Sequence, residues 1–178
     1  NEEWLDRGKR EMDGKISRSV HQEVQERGED LVINYLDGMA PTLQPTSAEK
    51  KFEIMVGDVP VLGFIDYVGF SKDESGRNMK DVVLDYKVVG RAKSEKDAKN
   101  ELQLGVYGLA TAGTKKVGYV SLVKKNKKVQ KVQIPYVKKR GAWAAEVIGS
   151  VAEGIRKCSL PLTNPNDWAC SDRFCGFW

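Results

Sequence analysis

Hydrophobic residues recur along the first half of the chain at spacings that predict one helix followed by three strands. Residues 4–36 are helical in pattern, because apolar side chains are spread among many charges without a proline. The apolar segments 49–56, 59–68 and 82–89 have the length and composition of strands. Gly57-Asp58, between the first two, predicts a hairpin turn.

The second half of the chain returns to a helical period. Leu102, Val106 and Leu109 recur at i, i+4 and i+7, which predicts a helix over 97–111. The remaining predicted elements are two strands and a last helix, at 117–123, 129–136 and 142–157. Strands that alternate with helices in this order favour an α/β domain with a mixed central sheet flanked by helices.

Length and composition fit one compact domain. The 178 residues are 40% hydrophobic, so we expect residues 1–178 to form one domain around a single core, with residues 158–178 as an irregular, cysteine-containing tail. The chain has no apolar run of 18 residues and no signal-peptide pattern at its start, so we expect a cytoplasmic protein with no membrane partner. Since position 1 is not Met, we also expect an N-terminal segment to be missing.

Positive charge is concentrated in one stretch. The formal net charge is +4, and residues 115–140 contain many Lys and Arg side chains but no Asp or Glu. A lysine-rich hairpin that only keeps the surface solvated would explain this pattern, and so would a face that binds phosphates. The turn Lys124–Lys128 and the run Lys138–Arg140 are the candidate contacts to a nucleic-acid backbone.

Two charged residues interrupt the third predicted strand. Asp85-Tyr-Lys87 is a carboxylate-x-Lys triplet, a pattern that also occurs elsewhere in this chain and has no meaning alone. Here, however, Val82-Val-Leu84 and Val88-Val89 flank it, so the charges lie in a strand that would otherwise be buried. Strand alternation places Asp85 and Lys87 on one face, and a functional site would explain the cost of burying them.

A second carboxylate, Asp66, ends the preceding strand. Neighbouring strands can bring Asp66 and Asp85 together into an oxygen-rich pocket suited to Mg²⁺ or Mn²⁺, with Lys87 beside it. A metal ion there could polarise a phosphodiester and activate water. The alternative is an Asp–Lys ion pair at a strand end, with Asp66 in a turn.

The helix after this strand carries two further polar side chains. Gln103 and Tyr107 are four residues apart and therefore lie on one helix face, where both could bind a phosphate or a water. A half-buried helix face would have the same pattern.

Taken in order, Gly63-Phe-Ile-Asp66, Asp85-Tyr-Lys87 and Gln103-Leu-x-x-Tyr107 resemble the RecB-like exonuclease branch of the PD-(D/E)xK nuclease superfamily. The resemblance covers residues 27 to the C-terminus. It implies a restriction-endonuclease-like core and a Mg²⁺- or Mn²⁺-dependent DNA exonuclease of recombination, repair or phage DNA metabolism. It also implies a bacterial or phage-infected cell as the setting, with DNA and a helicase or recombination protein as partners.

The resemblance further implies roles for individual residues. Asp66, Asp85 and the backbone carbonyl of Tyr86 would bind the metal, and Lys87 would be catalytic.

Gln103 and Tyr107 would position the substrate. Glu49 resembles an acidic position close to the site in this family, and His21 resembles a histidine that contributes a metal ligand in many relatives. His21 lies nearer to the Arg27-Gly28 segment than the family pattern predicts, so it could instead be a surface residue of the helix.

Three cysteines, Cys158, Cys170 and Cys175, lie in the last 21 residues. Some relatives bind a 4Fe–4S cluster through one upstream and three C-terminal cysteines, and this chain has only the C-terminal three. A cluster in a longer protein and ordinary thiols are both open interpretations. Their spacing is not that of a zinc ribbon.

Two other functional classes compete with the nuclease hypothesis. One is a non-catalytic nucleic-acid-binding subunit that has kept the fold, which would bind DNA in a salt-dependent manner without forming product. The other is a structural metal module built on the cysteines, which would not depend on Asp85.

Overall fold

The structure is a computed structural model that describes residues 18–73 and 75–159. Its elements in chain order are α1 (Arg18–Asn34), a π-helical turn (Tyr35–Met39), a 3-10 turn (Ala40–Thr42), β1 (Leu43–Val56), β2 (Val59–Lys72), β3 (Asn78–Val89), α2 (Glu95–Lys99), α3 (Leu102–Ala110), β4 (Lys116–Val123), β5 (Lys128–Pro135) and α4 (Lys138–Arg156).

The five strands form one mixed sheet in the order β1-β2-β3-β4-β5. The pairs β1–β2, β2–β3 and β4–β5 are antiparallel, whereas β3 and β4 are parallel. A parallel pair requires a crossover connection, and α2 with α3 supplies it. The predicted α/β class with a mixed central sheet and flanking helices is therefore confirmed.

Each face of the sheet has its own apolar core. The front face, which carries α3, buries Ile65, Val83 and Tyr119 against Leu104 and Tyr107 of that helix. The back face is covered by the π-helical turn, and its core shares no residue with that of the front. This core consists of Tyr67, Val82, Leu84 and Val120, and Tyr35 and Met39 pack on it. Two covered faces explain why β3 is nearly continuously apolar on both sides of its charged residues.

The helix predicted over 97–111 is in fact two helices, and the single-helix prediction is wrong. The chain leaves the helical conformation at Asn100 and Glu101, and Glu101 is extended. The Arg140 guanidinium donates through Nη1 to the carbonyls of Ala98 and Lys99, at 2.8 and 2.7 Å. In a continuous helix these carbonyls would instead accept from N–H groups four residues on, so Arg140 satisfies the acceptors that the break leaves free.

Close packing fixes α3 against its neighbours. A Cβ at Gly105 would lie 2.9 Å from the Cβ of Ala144 in α4, and a Cβ at Gly108 would overlap the Tyr136 ring. Both glycines thus let α3 approach α4 and the end of β5 more closely than any other residue would allow. This packing determines how far above the sheet α3 lies, and α3 carries Gln103 and Tyr107.

Several element boundaries differ from those predicted. Strand β1 begins at Leu43 rather than at 49, and β2 continues to Lys72 rather than 68. The strands extend through polar residues because their hydrogen bonds join backbone groups and do not depend on the side chains. Strand β1 lies at the edge of the sheet, where Pro45 is tolerated. The first helix ends at Asn34, and the part predicted over residues 4–17 lies outside the described residues.

Within the residues that the structure describes, no helix is long and apolar enough to cross a membrane.

Candidate active site

Strands β2 and β3 part at the position of the two predicted metal-binding carboxylates. The last paired residues are Tyr67 and Leu84, so Asp66 and Asp85 follow directly where the strands diverge. The Asp66 carboxylate accepts a hydrogen bond of 2.7 Å from the backbone N–H of Tyr86. Asp66 is also close enough to Asp85 for its charge to raise the pKa of that carboxyl. The structure therefore brings the two acidic residues together.

Asp85 is the most buried charged group of this region, with only 2% of its surface exposed. Burial raises its pKa, and the neighbouring Lys87 ammonium opposes that shift. Its Oδ1 accepts a hydrogen bond of 3.3 Å from the Tyr107 hydroxyl. Its Oδ2 lies 2.9 Å from Lys87 Nζ, but no donor of the described residues is aligned with it for a hydrogen bond.

The side chains from β3 and α3 close into a ring. Lys87 Nζ donates to Gln103 Oε1 at 3.1 Å, and Gln103 Nε2 donates to the Tyr107 hydroxyl at 2.7 Å. Tyr107 then donates to Asp85, which pairs with Lys87. All four residues were predicted for the site from sequence, and the structure brings them into mutual contact.

Tyr107 is held by packing as well as by hydrogen bonds. Its ring meets that of Phe52 edge to face, with centroids 6.1 Å apart. Burial raises the pKa of its hydroxyl to about 12, and the charge of Asp85 adds to that effect. Tyr107 is therefore a neutral hydrogen-bond donor at physiological pH.

The Tyr86 side chain has a structural task that sequence analysis missed. Its hydroxyl lies 2.8 Å from that of Tyr35, and the two rings meet edge to face at 5.6 Å. This contact anchors the π-helical turn to β3 on the back face, next to the site. Apolar alternation could have indicated that Tyr86 faces away from Asp85, but nothing in the sequence pairs it with Tyr35.

The oxygen atoms at the fork of β2 and β3 suit a divalent cation. Among residues 18–73 and 75–159 no group of three or more acidic, His or Cys side chains is placed to hold a metal. Mg²⁺, however, is commonly held by one or two carboxylates, with water and substrate phosphate completing its shell. Asp66 with the buried Oδ2 of Asp85, which has no aligned donor, fits this mode.

The other predicted ligands are placed differently or not described. Glu49 is exposed and lies in β1 between the pairs Ala48–Tyr67 and Lys50–Ile65, which places it opposite Asp66 of β2. Its φ of 48° is in the left-handed region, which is uncommon for a non-glycine residue. The structure shows no direct contact of Glu49 with the ring. The side chain of His21 lies outside the described residues.

Of the three cysteines, the structure describes only Cys158. It is exposed and free, two residues beyond the end of α4. Cys170 and Cys175 lie outside the described residues, so a cluster on these cysteines stays a prediction.

An apolar groove of about 440 Å³ borders the ring, and sequence analysis did not foresee it. Gln103 and Tyr107 are part of its lining, and the other lining residues belong to the β1–β2 hairpin, to α3 and to Glu101 just before it. The lining includes Phe52, Val61, Leu62, Phe64 and Val106.

The lysine-rich segment serves partly to hold the fold together. Lys127, in the β4–β5 turn, forms an ion pair with Asp30 of α1, while Lys124, Lys125 and Lys128 are exposed. Arg140 is committed to the carbonyls at the end of α2, as described above.

Comparisons with known proteins agree with this architecture. A sequence model of the PD-(D/E)XK nuclease superfamily matches residues 1–178. Among solved structures, the chain is similar to a crystal structure described as a "putative exonuclease" from Eubacterium rectale, with a TM-score of 0.59 and 10% sequence identity. That similarity covers 95% of this chain and 68% of the other. No curated protein has a significantly similar sequence.

The sheet, its flanking helices and the family match define a hydrolytic nuclease with a restriction-endonuclease-like fold. The chain belongs to the PD-(D/E)XK nuclease superfamily.

Proposed function

We propose that this protein is a divalent-metal-dependent DNA nuclease that degrades DNA from its ends. The observation that carries the proposal is the closed ring of Asp85, Lys87, Gln103 and Tyr107 beside Asp66, at the point where β2 and β3 part. The two neighbouring carboxylates of Asp66 and Asp85 share one nearby ammonium group, that of Lys87, and a divalent cation would offset the negative charge that remains.

Asp66, Asp85 and the backbone carbonyl of Tyr86 would hold Mg²⁺ or Mn²⁺, and Glu49 is a candidate for an additional contact. The ion would supply charge neutralisation at the phosphate and acidify a water. The Asp66 carboxylate is already oriented, because one of its oxygens accepts from the Tyr86 N–H. Pre-orientation of a ligand by a second hydrogen bond strengthens a metal site.

Lys87 would act on the phosphate or on the attacking water. Its side chain is 34% exposed, so the ammonium lies at the mouth of the site rather than inside the core. Asp85 and Gln103 hold Nζ from two sides, by an ion pair and a hydrogen bond, which leaves N–H groups of the ammonium for a substrate oxygen. Gln103 and Tyr107 are positioning residues for Lys87 and Asp85 in this proposal.

The surroundings favour a nucleic-acid substrate. The apolar groove beside Gln103 offers Phe52 and Phe64 to an unstacked base. Exposed lysines in the β4–β5 turn provide charge for the backbone. The pairing of Gln103 with Tyr107 supports the RecB-like branch, where these two positions define a motif. A role in recombination, repair or phage DNA metabolism beside a helicase partner follows from that branch, within the cytoplasm.

The test is degradation of end-labelled linear DNA and of covalently closed circular DNA in Mg²⁺, Mn²⁺ or EDTA. We expect the wild type to degrade linear DNA with either metal, to leave circular DNA intact and to be inactive in EDTA. Asp85→Asn and Lys87→Met should each lower the rate by about 100-fold or more, because both act at the reacting phosphate.

Asp58→Asn is the matched control, since Asp58 is exposed and forms only a surface ion pair with Arg156. It should degrade DNA like the wild type. If Asp85→Asn were as active as the wild type, the site assignment would be wrong. If the wild type bound DNA with a strong salt dependence but formed no product in either metal, the protein would be a non-catalytic binder.

A further inference from the structure

A basic pocket of about 560 Å³ lies on the back face of the sheet, away from the candidate active site. It is bounded by the end of β2 and the turn that follows it, the start of β4, the middle of β5 and the turns before β1. The residues that matter here are Thr42, Lys72, Lys116, Lys131 and Gln133.

This pocket is too far from the candidate active site to bind the phosphate that is cleaved. Lys131 pairs with Val120, which belongs to the back core, so Lys131 lies on the opposite face from Asp85 and α3. Asp66 and Lys72 are six residues apart along β2, which at the rise of a strand separates the two sites by roughly 20 Å. A ligand of this pocket therefore binds away from the reacting bond.

The floor of the pocket is polar, and its side chains are joined by hydrogen bonds. Lys131 Nζ donates to Ser71 Oγ and to the Lys72 carbonyl, each at 2.7 Å, and to Thr42 Oγ1 at 3.3 Å. Gln133 Nε2 donates to the same Ser71 Oγ at 2.7 Å, and Ser71 is almost fully buried. The ammonium is thus fixed in place by neutral oxygens, none of which cancels its charge.

Basic side chains outnumber acidic ones in the lining of the pocket. Among the described residues, Lys72, Lys116 and Lys131 form no ion pair. The acidic residue of the rim, Asp73, is bound to Arg77 at 3.0 Å. Burial lowers the pKa of Lys131, and repulsion from the Lys116 ammonium lowers it further, while the charge of Asp73 partly opposes both effects. Gathering cations in this way costs free energy that a bound anion would recover.

We propose that this back-face pocket is a second, non-catalytic site that binds a phosphate group. Lys72 and Lys116 would contact the phosphate oxygens from the two walls, and the fixed Lys131 would supply charge from the floor. A cavity of this size admits a nucleotide-sized ligand as well as a phosphate. The phosphate could belong to a small free ligand or to the backbone of DNA, because both present the same oxygens.

The first test is calorimetric titration with pyrophosphate in EDTA, without turnover. We expect wild type and Asp85→Asn to bind equally well, so that failure of this site is distinguishable from failure of the nuclease proposal. The double variant Lys72→Gln/Lys116→Gln should bind about tenfold more weakly or worse, because it loses two charge-assisted contacts. Lys96→Gln/Lys99→Gln makes the same change in net charge on the exposed side of α2, outside the pocket, and should bind like the wild type.

Circular dichroism and thermal unfolding establish that each variant is folded, and Lys116→Gln alone replaces the double variant if that one does not fold. Equal binding by the pocket variants and the control would overturn the proposal, as would no binding by the wild type at millimolar pyrophosphate.

Competition between pyrophosphate and DNA, measured in EDTA at constant ionic strength, distinguishes a DNA backbone from a small phosphate ligand. If pyrophosphate weakens DNA binding by the wild type but not by the pocket variant, the site holds the DNA backbone. If it leaves DNA binding unchanged while itself binding, the ligand is a small phosphate compound.

Discussion

The carboxylate of Asp66 accepts a 2.7 Å hydrogen bond from the backbone N–H of Tyr86, in the strand that carries Asp85 and Lys87. This side-chain contact joins β2 and β3 just beyond their last paired residues, Tyr67 and Leu84. Asp66 thus has a structural task, as the acceptor for a backbone donor, and a proposed functional one, as a metal ligand. The two tasks are separable by substitution.

Asp66→Asn and Asp66→Ala should differ in stability but agree in activity. Asn keeps an oxygen that can accept from Tyr86, so we expect its unfolding free energy to stay close to that of the wild type. Ala leaves the N–H without a partner and should cost about 1–3 kcal/mol. Both remove the charge and should abolish metal-dependent cleavage. Urea unfolding and the nuclease assay give the two readouts; equal stability of the two variants would refute the structural task.

Gln103 should act through the position of Lys87. In Gln103→Leu the contacts to Lys87 Nζ and to the Tyr107 hydroxyl are both lost. We expect kcat to fall by about 10- to 100-fold, since small displacements of a catalytic group have effects of that size, with a smaller change in KM. Gln103→Glu restores an acceptor for Lys87 and should recover part of kcat.

Gln130→Leu is the control for this pair, because Gln130 is exposed on β5. If Gln103→Leu raised KM and left kcat unchanged, Gln103 would contact the substrate without positioning Lys87.

Arg140→Met should destabilise the junction between α2 and α3. The variant loses two hydrogen bonds from a charged donor to the carbonyls of Ala98 and Lys99, which is expected to cost about 2–4 kcal/mol. Hydrogen exchange should be faster over residues 100–103 in the variant. Lys139→Met, at an exposed position of the same helix, should change neither measurement; similar losses in both variants would argue against the role of Arg140.

Ionisation of Tyr67 should lower the free energy of unfolding in alkaline solution. Its hydroxyl accepts from the Gln44 N–H and donates to the Phe70 carbonyl, and burial raises its pKa from 10.0 to about 12. The folded protein therefore keeps the proton between pH 10 and 12, while the unfolded chain loses it. For such an acid, the stabilisation is complete below pH 10 and is lost as the pH rises through this window.

Tyr67→Phe should be less stable than the wild type at pH 8, by about 1–3 kcal/mol, because two backbone groups lose their partner. The difference in unfolding free energy between the two proteins should shrink from pH 10 towards pH 12, because the variant has no hydroxyl to ionise at this position. A difference that stays constant across this range would contradict the assigned pKa shift.

Sequence analysis was most successful where one element fixes the geometry. Asp85 and Lys87 are two residues apart in a strand, so they share a face, and Gln103 and Tyr107 are one helical turn apart. The prediction of a single helix over 97–111 was wrong, and the carbonyls that the break leaves free are satisfied by Arg140, a residue from a distant part of the chain. Apolar periodicity continues across that break and gives no sign of it.

The sequence by itself therefore determined the α/β class, the order of the elements and the family to which the chain belongs, because periodicity and local motifs depend only on neighbouring residues. Only the tertiary structure decided that Lys87 meets Gln103, that Asp66 bonds to the strand of Asp85, and that Lys116 and Lys131 gather on the opposite face. Contacts of this kind depend on strand register and on the height at which a helix packs, and these follow from the burial of side chains far apart in the chain.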